Sequence, residues 1–365
     1  MSKELATRFC ERPWMFLEIQ EKALYNCCPR WVNHNKIGDI TPDLNFLKEW
    51  NSKRSKAFRR SILDRSFSMC NKEECPMIQN KTLPTREDVL DGNHGEYLKK
   101  IVEYDLDVAD HPNVINLCYD KSCNLRCPSC REESIFYNEK NHPDKYNQAL
   151  QINKKLLQMI HSKPHDVCLN ITGSGDPFGS PSFFELMKQI NPAKNPHIGV
   201  ILQTNGVLWD EKRWSKLKNI HKLNISAIIS LDAGIKEHYD KVRVGGDWDR
   251  LQKNLHFIST LNLTNVRLDM CVQKNNYNSI PEFIQIAQAH GFNSYTSRMY
   301  NWGTFTNEQY DSHNIFDTKH PEHKQFLKMI NQNYFYEKHD WGNLTDFISN
   351  NTQETFLKWK SFINE

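Results

Sequence analysis

Three cysteines, Cys123, Cys127 and Cys130, form a C-x3-C-x2-C array directly after a short apolar run, residues 114–117. Spacers of three and two residues allow one loop to wrap a single soft metal centre with thiolates. Three thiolates are one fewer than the four that close a structural zinc site or a cysteine-ligated four-iron cluster. The array therefore indicates either a cluster with one iron open to a small molecule, or a structural zinc that borrows a fourth ligand such as Cys118.

Five further cysteines lie in the first 90 residues, around a predicted hairpin (residues 16–20 and 23–27) and a predicted helix within residues 44–63. This segment has too little apolar mass to fold alone, so a metal would supply the missing stability. Without an export signal, eleven cysteines indicate metal ligands before disulfides, because cytosolic thiols stay reduced. The five are Cys10, Cys27, Cys28, Cys70 and Cys75.

Composition excludes several classes of protein. Lys and Arg total 47 against 44 Asp and Glu, a net charge of +3 that makes no electrostatic case for nucleic acid or a membrane surface. A mean hydropathy of −0.71 and the lack of a long apolar run argue against a membrane span. The first residues lack the apolar core of a signal peptide, so we expect a cytoplasmic protein.

Residues 110–310 alternate short apolar runs with amphipathic helical stretches, which predicts a parallel sheet that is either doubly wound or barrel-like. In barrels the chemistry gathers at the carboxyl ends of the strands, and the polar motifs of this chain follow those ends. Six strands are predicted, at residues 114–117, 167–171, 198–203, 224–231, 266–272 and 294–299.

Three motifs follow the predicted strands. Residues 172–177 read Thr-Gly-Ser-Gly-Asp-Pro, a turn whose glycines allow a ligand close to the backbone and whose carboxylate, Asp176, suits an ammonium group. Residues 204–206 read Thr-Asn-Gly, and residues 230–234 read Ser-Leu-Asp-Ala-Gly ahead of Arg243 and a glycine pair. An arginine fork pairs a carboxylate with two bonds. Taken singly, these motifs are equally consistent with ordinary turns and a surface arginine.

The cysteine array together with these strand-end motifs resembles the radical S-adenosylmethionine (radical SAM) enzymes. The resemblance implies a partial (β/α)6 TIM-like barrel and a [4Fe-4S] cluster on Cys123, Cys127 and Cys130 whose open iron binds SAM. Asp176 stands where that family usually has Glu. By the same resemblance, SAM contacts are expected from Gly175, Asp176, Thr204, Asn205, Ser230 and Arg243.

Residues 1–90 resemble the SPASM/twitch auxiliary-cluster module of the same enzymes. The resemblance implies a second [4Fe-4S] cluster on Cys10, Cys27, Cys70 and Cys75, with Cys28 able to exchange roles with Cys27. The module precedes the predicted barrel, whereas in relatives it usually follows, and structural zinc is the alternative. The matching residues also include Trp50, Asn51 and Arg59.

The expected domains are therefore residues 1–90, the barrel at 110–310 and a helical extension at 311–365, with helix-like runs near 324–334 and 343–362. The resemblance implies an oxidoreductase-type enzyme that cleaves SAM reductively to a 5′-deoxyadenosyl radical and abstracts a substrate hydrogen. Such an enzyme would oxidise or cross-link a peptide or protein and take electrons from a donor such as flavodoxin or ferredoxin. The alternatives are dehydrogenation or epimerisation of a sugar or small metabolite, and a non-enzymatic zinc or Fe-S scaffold. The catalytic residues are unknown from sequence.

Overall fold

The structure is a computed structural model, which describes residues 4–332 and 339–348. It divides into two compact units: unit 1 contains residues 1–120, 138–174 and 185–200, and unit 2 contains the remaining residues. The strands are β1 Phe16–Gln20, β2 Ala23–Tyr25, β3 Gly38–Asp39, β4 Val114–Cys118, β5 Val167–Ile171, β6 Ile198–Thr204, β7 Asn224–Ser230, β8 Asn265–Val272, β9 Asn293–Arg298 and β10 His339–Asp340.

Several of the helices begin where a side chain accepts from a free backbone N–H group. Ser52 and Asp247, for example, accept from the third residue of the helices that follow them. The helices are α1 Arg12–Met15, α2 Phe46–Trp50, α3 Lys53–Leu63, α4 Pro76–Gln79, α5 Arg86–Leu90, α6 Glu96–Glu103, α7 Pro143–Ile160, α8 Pro181–Gln189, α9 Glu211–Trp214, α10 Lys236–Val242, α11 Trp248–Ser259, α12 Ile280–Ala289, α13 Asn307–His313 and α14 His323–Ile330.

Unit 1 contains a mixed sheet in which β1 pairs antiparallel with β2 and β2 pairs antiparallel with β3. The predicted N-terminal hairpin is thereby confirmed. On its other side β1 pairs in parallel with β4, from Phe16 opposite Val114 to Gln20 opposite Cys118, and β4 pairs in parallel with β5. The hairpin is therefore part of the same sheet as the first strand of the predicted barrel.

Strand alternation gives the sheet of unit 1 one apolar face and one polar face. Ile115 and Leu117 of β4 are fully buried in the core. Glu18, Asn116 and Asn170 lie opposite one another in register on β1, β4 and β5. The side-chain Nδ2 of Asn116 donates to the Glu18 carboxylate at 3.1 Å, and the side-chain Nδ2 of Asn170 donates to Asn116 Oδ1 at 2.9 Å. One polar row therefore crosses three strands.

Unit 2 contains parallel strands: β7 pairs with β8, β8 with β9, and β9 with β10. All six strands predicted for residues 110–310 are present, and helices separate them. The prediction of an α/β fold with parallel strands is confirmed, whereas closure into a partial barrel stays a prediction.

The C-terminal extension is only partly described. The run predicted near 324–334 corresponds to α14, which begins at His323 and ends at Ile330. Residues 342–347 form a 3-10 helix, and most of the run predicted at 343–362 lies outside the described residues. In the described ranges, no helix combines the length and apolar composition that crossing a lipid bilayer requires.

Candidate metal centres

Cys123, Cys127 and Cys130, here called the loop site, lie in unit 2 on the segment that follows β4. Cys123 is half-buried, Cys127 is buried and Cys130 is exposed. The Cys130 N–H donates to the Cys127 carbonyl at 2.9 Å, which turns the loop between them. Burial raises the pKa of the Cys127 thiol, and the nearby Cys130 raises it further, although Arg243 opposes the rise. The Cys130 thiol is therefore close enough to Cys127 to affect the pKa of the Cys127 thiol.

Hydrogen-bond donors from three segments of unit 2 point at the sulfur atoms of the loop site. Arg243 Nη1 lies 3.6 Å from Cys127 Sγ, and Arg131 Nη2 lies 3.4 Å from Cys130 Sγ. Asn205 Nδ2 lies 3.6 Å from Cys123 Sγ. Two of the donors carry a positive charge, so they favour the thiolate over the thiol, and the thiolate is the form that binds metal.

The Asp176 carboxylate is buried and fully engaged within unit 2. One oxygen accepts from the Thr204 hydroxyl at 2.7 Å and the Asn205 N–H at 2.8 Å. The other accepts from the N–H groups of Phe178 and Gly179 at 3.0 and 2.9 Å. Four donors fill the four acceptor positions of a carboxylate, which leaves no position for an ammonium group. Asp176 is therefore a positioning residue that ties its own loop to the end of β6, and Gly175 directly precedes it.

Thr204 and Asn205, both predicted SAM contacts, form the turn that Asp176 holds. Gly206 completes the turn at φ +76°, a conformation that side chains other than glycine rarely adopt. The side-chain Nδ2 of Asn205, which also contacts Cys123 Sγ, donates to the side-chain Oδ1 of Asn124 at 3.0 Å. The turn after β6 is thereby connected to the cysteine loop.

Arg243, predicted to bind a carboxylate, forms a buried ion pair with Asp232, with 2.8 Å between Nη2 and Oδ2. Burial alone would lower the pKa of Arg243, but the Asp232 carboxylate raises it above its usual value. The other Asp232 oxygen accepts from the Cys271 N–H at 2.7 Å. Arg243 Nε is buried without a hydrogen-bond partner among the described residues. One donor of the guanidinium is therefore left for a ligand.

Ser230, the last residue of β7, is half-buried and lies opposite Asp269 in register. Among the described residues, no hydrogen bond is found from its side chain to the loop site. The predicted glycine pair does adjoin the cysteine loop, because the Arg126 N–H donates to the Val244 carbonyl at 2.9 Å. Gly246 is required there because a Cβ atom would lie 2.3 Å from the Tyr239 hydroxyl oxygen.

Cys10, Cys27, Cys70 and Cys75, here called the N-terminal site, lie together in unit 1. Burial raises the pKa of Cys10 to about 11, with Cys75 adding to the rise. Burial also raises the pKa of Cys27, where Cys10 and Cys75 contribute, and of Cys70, where all three of the other thiols contribute. The structure thus gathers the four predicted cysteines into one electrostatically coupled group.

Cys28 belongs to a different neighbourhood. Burial raises the pKa of its thiol, and Glu18 adds to the rise, whereas none of the four thiols of the N-terminal site contributes to it. Burial likewise raises the pKa of the Cys118 thiol, and Glu18 and Cys28 add to the rise. Cys27 lies in the buried cluster against which Cys70 packs, which favours Cys27 over Cys28 as a member of the N-terminal site.

Arg59, part of the resemblance to the auxiliary module, is fully buried and fastens α3 to the segments around it. Its guanidinium donates to the carbonyl groups of Pro13, Trp50 and Asp107 at 2.9, 3.0 and 3.1 Å, and to the Asn51 side chain. This arrangement fixes the start of the chain against α3, and the loop after α3 carries Cys70 and Cys75.

In residues 4–332 and 339–348, no three His, Cys, Asp or Glu side chains surround one point closely enough for a single metal ion. The thiols of each site are electrostatic neighbours without that tight grouping. Sequence reasoning gave no role to three of the charged residues beside them, Asp232, Arg131 and Arg12. Asp232 lies inside a motif that was recognised, and Arg131 directly follows Cys130, so both signals were available in the sequence.

The sequence is similar to a curated protein over less than half of its length. Mycofactocin maturase MftC of Mycolicibacterium smegmatis is 27% identical over 170 residues, which are 47% of this chain and 40% of that protein. This chain thus matches well under two thirds of the length of that relative.

Two solved structures show limited similarity. Streptococcus suis SuiB bound to S-adenosylmethionine is 15% identical, with coverage of 72% of this chain and 56% of that one and a TM-score of 0.39. TYW1 with a lysine-pyruvate adduct bound is 17% identical, with coverage of 58% and 70% and a TM-score of 0.34.

The family model described as the radical SAM superfamily matches residues 121–311. That range begins two residues before Cys123 and contains Asp176, Thr204, Asn205, Ser230 and Arg243. Because the match covers more than half of the 365 residues, the chain belongs to the radical SAM superfamily.

Proposed function

We propose that this protein cleaves S-adenosylmethionine reductively at the loop site and uses the resulting radical to oxidise or cross-link a peptide or protein. Cys123, Cys127 and Cys130 would hold a [4Fe-4S] cluster, which would supply one electron for the cleavage of SAM to methionine and a 5′-deoxyadenosyl radical able to take hydrogen from a C–H bond. The protein supplies ligation, orientation and exclusion of water.

The observation that carries the proposal is the arrangement of charged and amide donors around the three thiols. Arg243, Arg131 and Asn205 each direct an N–H group at a sulfur atom, that of Cys127, Cys130 and Cys123 respectively. The free Nε–H of Arg243 supplies one bond for the carboxylate of SAM, while Asp232 holds the guanidinium in place. Gly175, Thr204, Asn205 and Ser230 are the further residues proposed to contact SAM.

Asp176 enters the proposal in a different role from that expected of its motif. Its carboxylate is saturated, so it orients the Thr204 turn and leaves contact with the SAM amino group to neighbouring backbone atoms. A buried carboxylate that accepts four hydrogen bonds is well suited to holding two loops in register.

We further propose that Cys10, Cys27, Cys70 and Cys75 bind an auxiliary [4Fe-4S] cluster. The mutual electrostatic contact of the four thiols supports this set of ligands. Each cysteine of such a cluster binds a different iron, so the thiols are spaced more widely than around a single zinc ion. An auxiliary cluster would accept the electron left on an oxidised substrate. Structural zinc at the same four thiols is the competing assignment.

A peptide or protein substrate is supported by the similarity to a mycofactocin maturase and by the resemblance of residues 1–90 to the SPASM/twitch module. The remaining parts of the proposal are a flavodoxin or ferredoxin as electron donor, a cytoplasmic location, and a partial (β/α)6 barrel. The domain limits proposed with them are 1–90, 110–310 and 311–365.

The test is anaerobic purification and reconstitution, followed by reduction in the presence of SAM and chromatography of the products. We expect 5′-deoxyadenosine and methionine, with about eight irons and eight sulfides per chain for two four-iron clusters. Cys168→Ala is the matched control, because Cys168 belongs to neither site. Iron-loaded protein that does not cleave SAM would support a non-enzymatic scaffold, and zinc in place of iron would remove the electron-transfer role.

A further inference from the structure

Arg12 occupies an unusual position beside the N-terminal site in unit 1. It begins α1, two residues after Cys10. The guanidinium carbon lies 3.9 Å from the centroid of the Phe16 ring and 5.1 Å from that of Trp31. Stacking between two aromatic rings fixes a planar cation without a carboxylate.

The Arg12 guanidinium has no acidic partner within 4.0 Å among the described residues, and its Nε is buried without a hydrogen-bond partner. Buried polar groups are normally hydrogen-bonded, so an orphaned guanidinium donor indicates a partner that belongs to the functional state. The ring beneath the guanidinium is part of the cysteine neighbourhood, because Trp31 packs against the buried cluster that contains Cys27, with Cys70 beside it.

The groups near Arg12 are thiols and one carboxyl. Burial raises the pKa values of the Cys10, Cys27 and Cys28 thiols and of the Glu18 carboxyl. The positive charge of Arg12 acts in the opposite direction on each of these pKa values. The Glu18 carboxylate is engaged by the side chains of Gln20 and Asn116. The charge of Arg12 is therefore directed at the cysteines.

We propose that Arg12 is a positioning residue of the N-terminal site, where its charge and its free Nε–H stabilise the reduced form of the iron–sulfur cluster held by the four thiolates and so raise the reduction potential. The inference rests on the proposed function, because it requires a cluster on Cys10, Cys27, Cys70 and Cys75.

The physical basis is charge. Four thiolates give the site a net negative charge, and taking up one electron makes it more negative without breaking or forming a covalent bond. A fixed cation in a poorly solvated place lowers the free energy of the more negative state by a larger amount. Net charge, hydrogen bonds to sulfur and solvent exposure are the factors that set such potentials. Arg12 would thereby make the site a better electron acceptor.

The test is a redox titration followed by electron paramagnetic resonance on the full-length protein. Cys123→Ala, Cys127→Ala and Cys130→Ala together form the background, so that only the N-terminal site contributes a signal. In that background Arg12→Gln is expected to reduce the equilibrium constant for one-electron reduction about tenfold, a downward shift of about 59 mV. Arg12→Lys, which keeps the charge, is expected to shift less than half as far.

Arg54→Gln is the matched control. Arg54 is an exposed arginine on α3 of the same unit, and its replacement by Gln removes the same formal charge as Arg12→Gln. Its potential is expected to equal that of the background. A cluster that assembles in Arg12→Gln with an unchanged potential would overturn the inference, as would equal shifts in Arg12→Gln and Arg12→Lys.

Iron and sulfide content separates the other outcomes. A background protein that holds no iron shows that the auxiliary cluster, and hence that part of the proposed function, is wrong before Arg12 is considered. If Arg12→Gln does not assemble a cluster, Arg12→Lys decides: assembly with a potential near that of the background supports a role for charge. Failure of both variants to assemble overturns the inference in favour of a packing role.

Discussion

The loop site and the N-terminal site use the same ligand chemistry but are built differently. The loop site takes its three thiols from eight consecutive residues, includes the exposed Cys130, and receives donors from Arg243, Arg131 and Asn205. The N-terminal site collects four thiols from positions 10 to 75, of which Cys27 and Cys75 are buried, Cys10 and Cys70 are half-buried, and none is exposed. The difference fits the proposed roles, in which the loop site would bind a small ligand and the N-terminal site would hold a cluster that transfers electrons.

The arginines of the two sites differ in the same way. Arg243 is held by the carboxylate of Asp232, whereas Arg12 lies against the rings of Phe16 and Trp31 and forms no ion pair within 4.0 Å among the described residues. A cation whose charge is neutralised by a carboxylate orients a ligand, while an unneutralised cation changes an electrostatic potential. The following experiments test this contrast.

The largest expected effect separates catalysis from iron content. Replacing Cys123, Cys127 and Cys130 together with Ala is expected to abolish 5′-deoxyadenosine formation and leave about half of the iron. Cys70→Ala with Cys75→Ala should remove the other half and retain SAM cleavage, because the loop site keeps its ligands. Chromatography and iron analysis on the two proteins give the comparison. Equal loss of SAM cleavage in both would contradict separate roles for the two sites.

The next effect concerns the ion pair beside the loop site. Arg243→Ala leaves the Asp232 carboxylate buried without its cation, which is expected to lower the free energy of unfolding by about 3–5 kcal/mol. Lys241→Ala is the control, because its pair with Glu237 is exposed and such pairs contribute about 0–1 kcal/mol. Urea denaturation monitored by circular dichroism measures both variants. A cost for Arg243→Ala no larger than the control would show that the pair is not desolvated.

Thiol reactivity in metal-free protein gives a smaller and graded effect. At pH 8 a thiol whose pKa is raised to about 11, as for Cys10, holds on the order of a hundredfold less thiolate than an ordinary thiol. Iodoacetamide should therefore modify the exposed Cys130 first and Cys10 much later, with the Cys10 rate rising as the pH approaches 11. Peptide mass spectrometry measures the extent of alkylation at each cysteine. Equal rates at pH 8 would remove the contrast between an open and a closed site.

The smallest expected effect is at Cys28. Cys28→Ala is expected to leave the iron content unchanged, because its thiol is coupled to Glu18 and Cys118 and not to the N-terminal site. Cys27→Ala, its neighbour and control, should remove about half of the iron. Iron loss in Cys28→Ala with none in Cys27→Ala would exchange the two assignments.

Periodicity in the sequence was sufficient to predict all six strands between residues 110 and 310 and the N-terminal hairpin, because apolar runs and alternation are local signals. The spacing of Cys123, Cys127 and Cys130 was equally local. The pairing of β1 with β4 was not predictable, since the two strands are almost 100 residues apart and no local pattern records which edge a strand joins.

The surroundings of Asp176 show what a sequence motif does not record. Sequence indicates that a carboxylate follows a glycine turn, but its four hydrogen-bond donors include Thr204 and Asn205, which come from a later strand end. Whether a carboxylate is free or saturated depends on contacts made after the chain has folded. Arg12 could not be singled out from sequence for the same reason, because its proposed role depends on the rings of Phe16 and Trp31 that lie against it and on the absence, among the described residues, of a carboxylate within ion-pair distance.

The parallel pairing of β1 with β4 has a practical consequence for anyone who shortens this chain. A protein beginning after residue 90 would lose β1 and leave one edge of β4 without its hydrogen-bonding partner, from Val114 to Cys118. Unpaired strand edges recruit other chains, so such a fragment is expected to self-associate. The N-terminal hairpin therefore also protects this edge of β4 from pairing with another chain. A truncation that removes the cysteines around the hairpin is expected to lower the solubility of the protein.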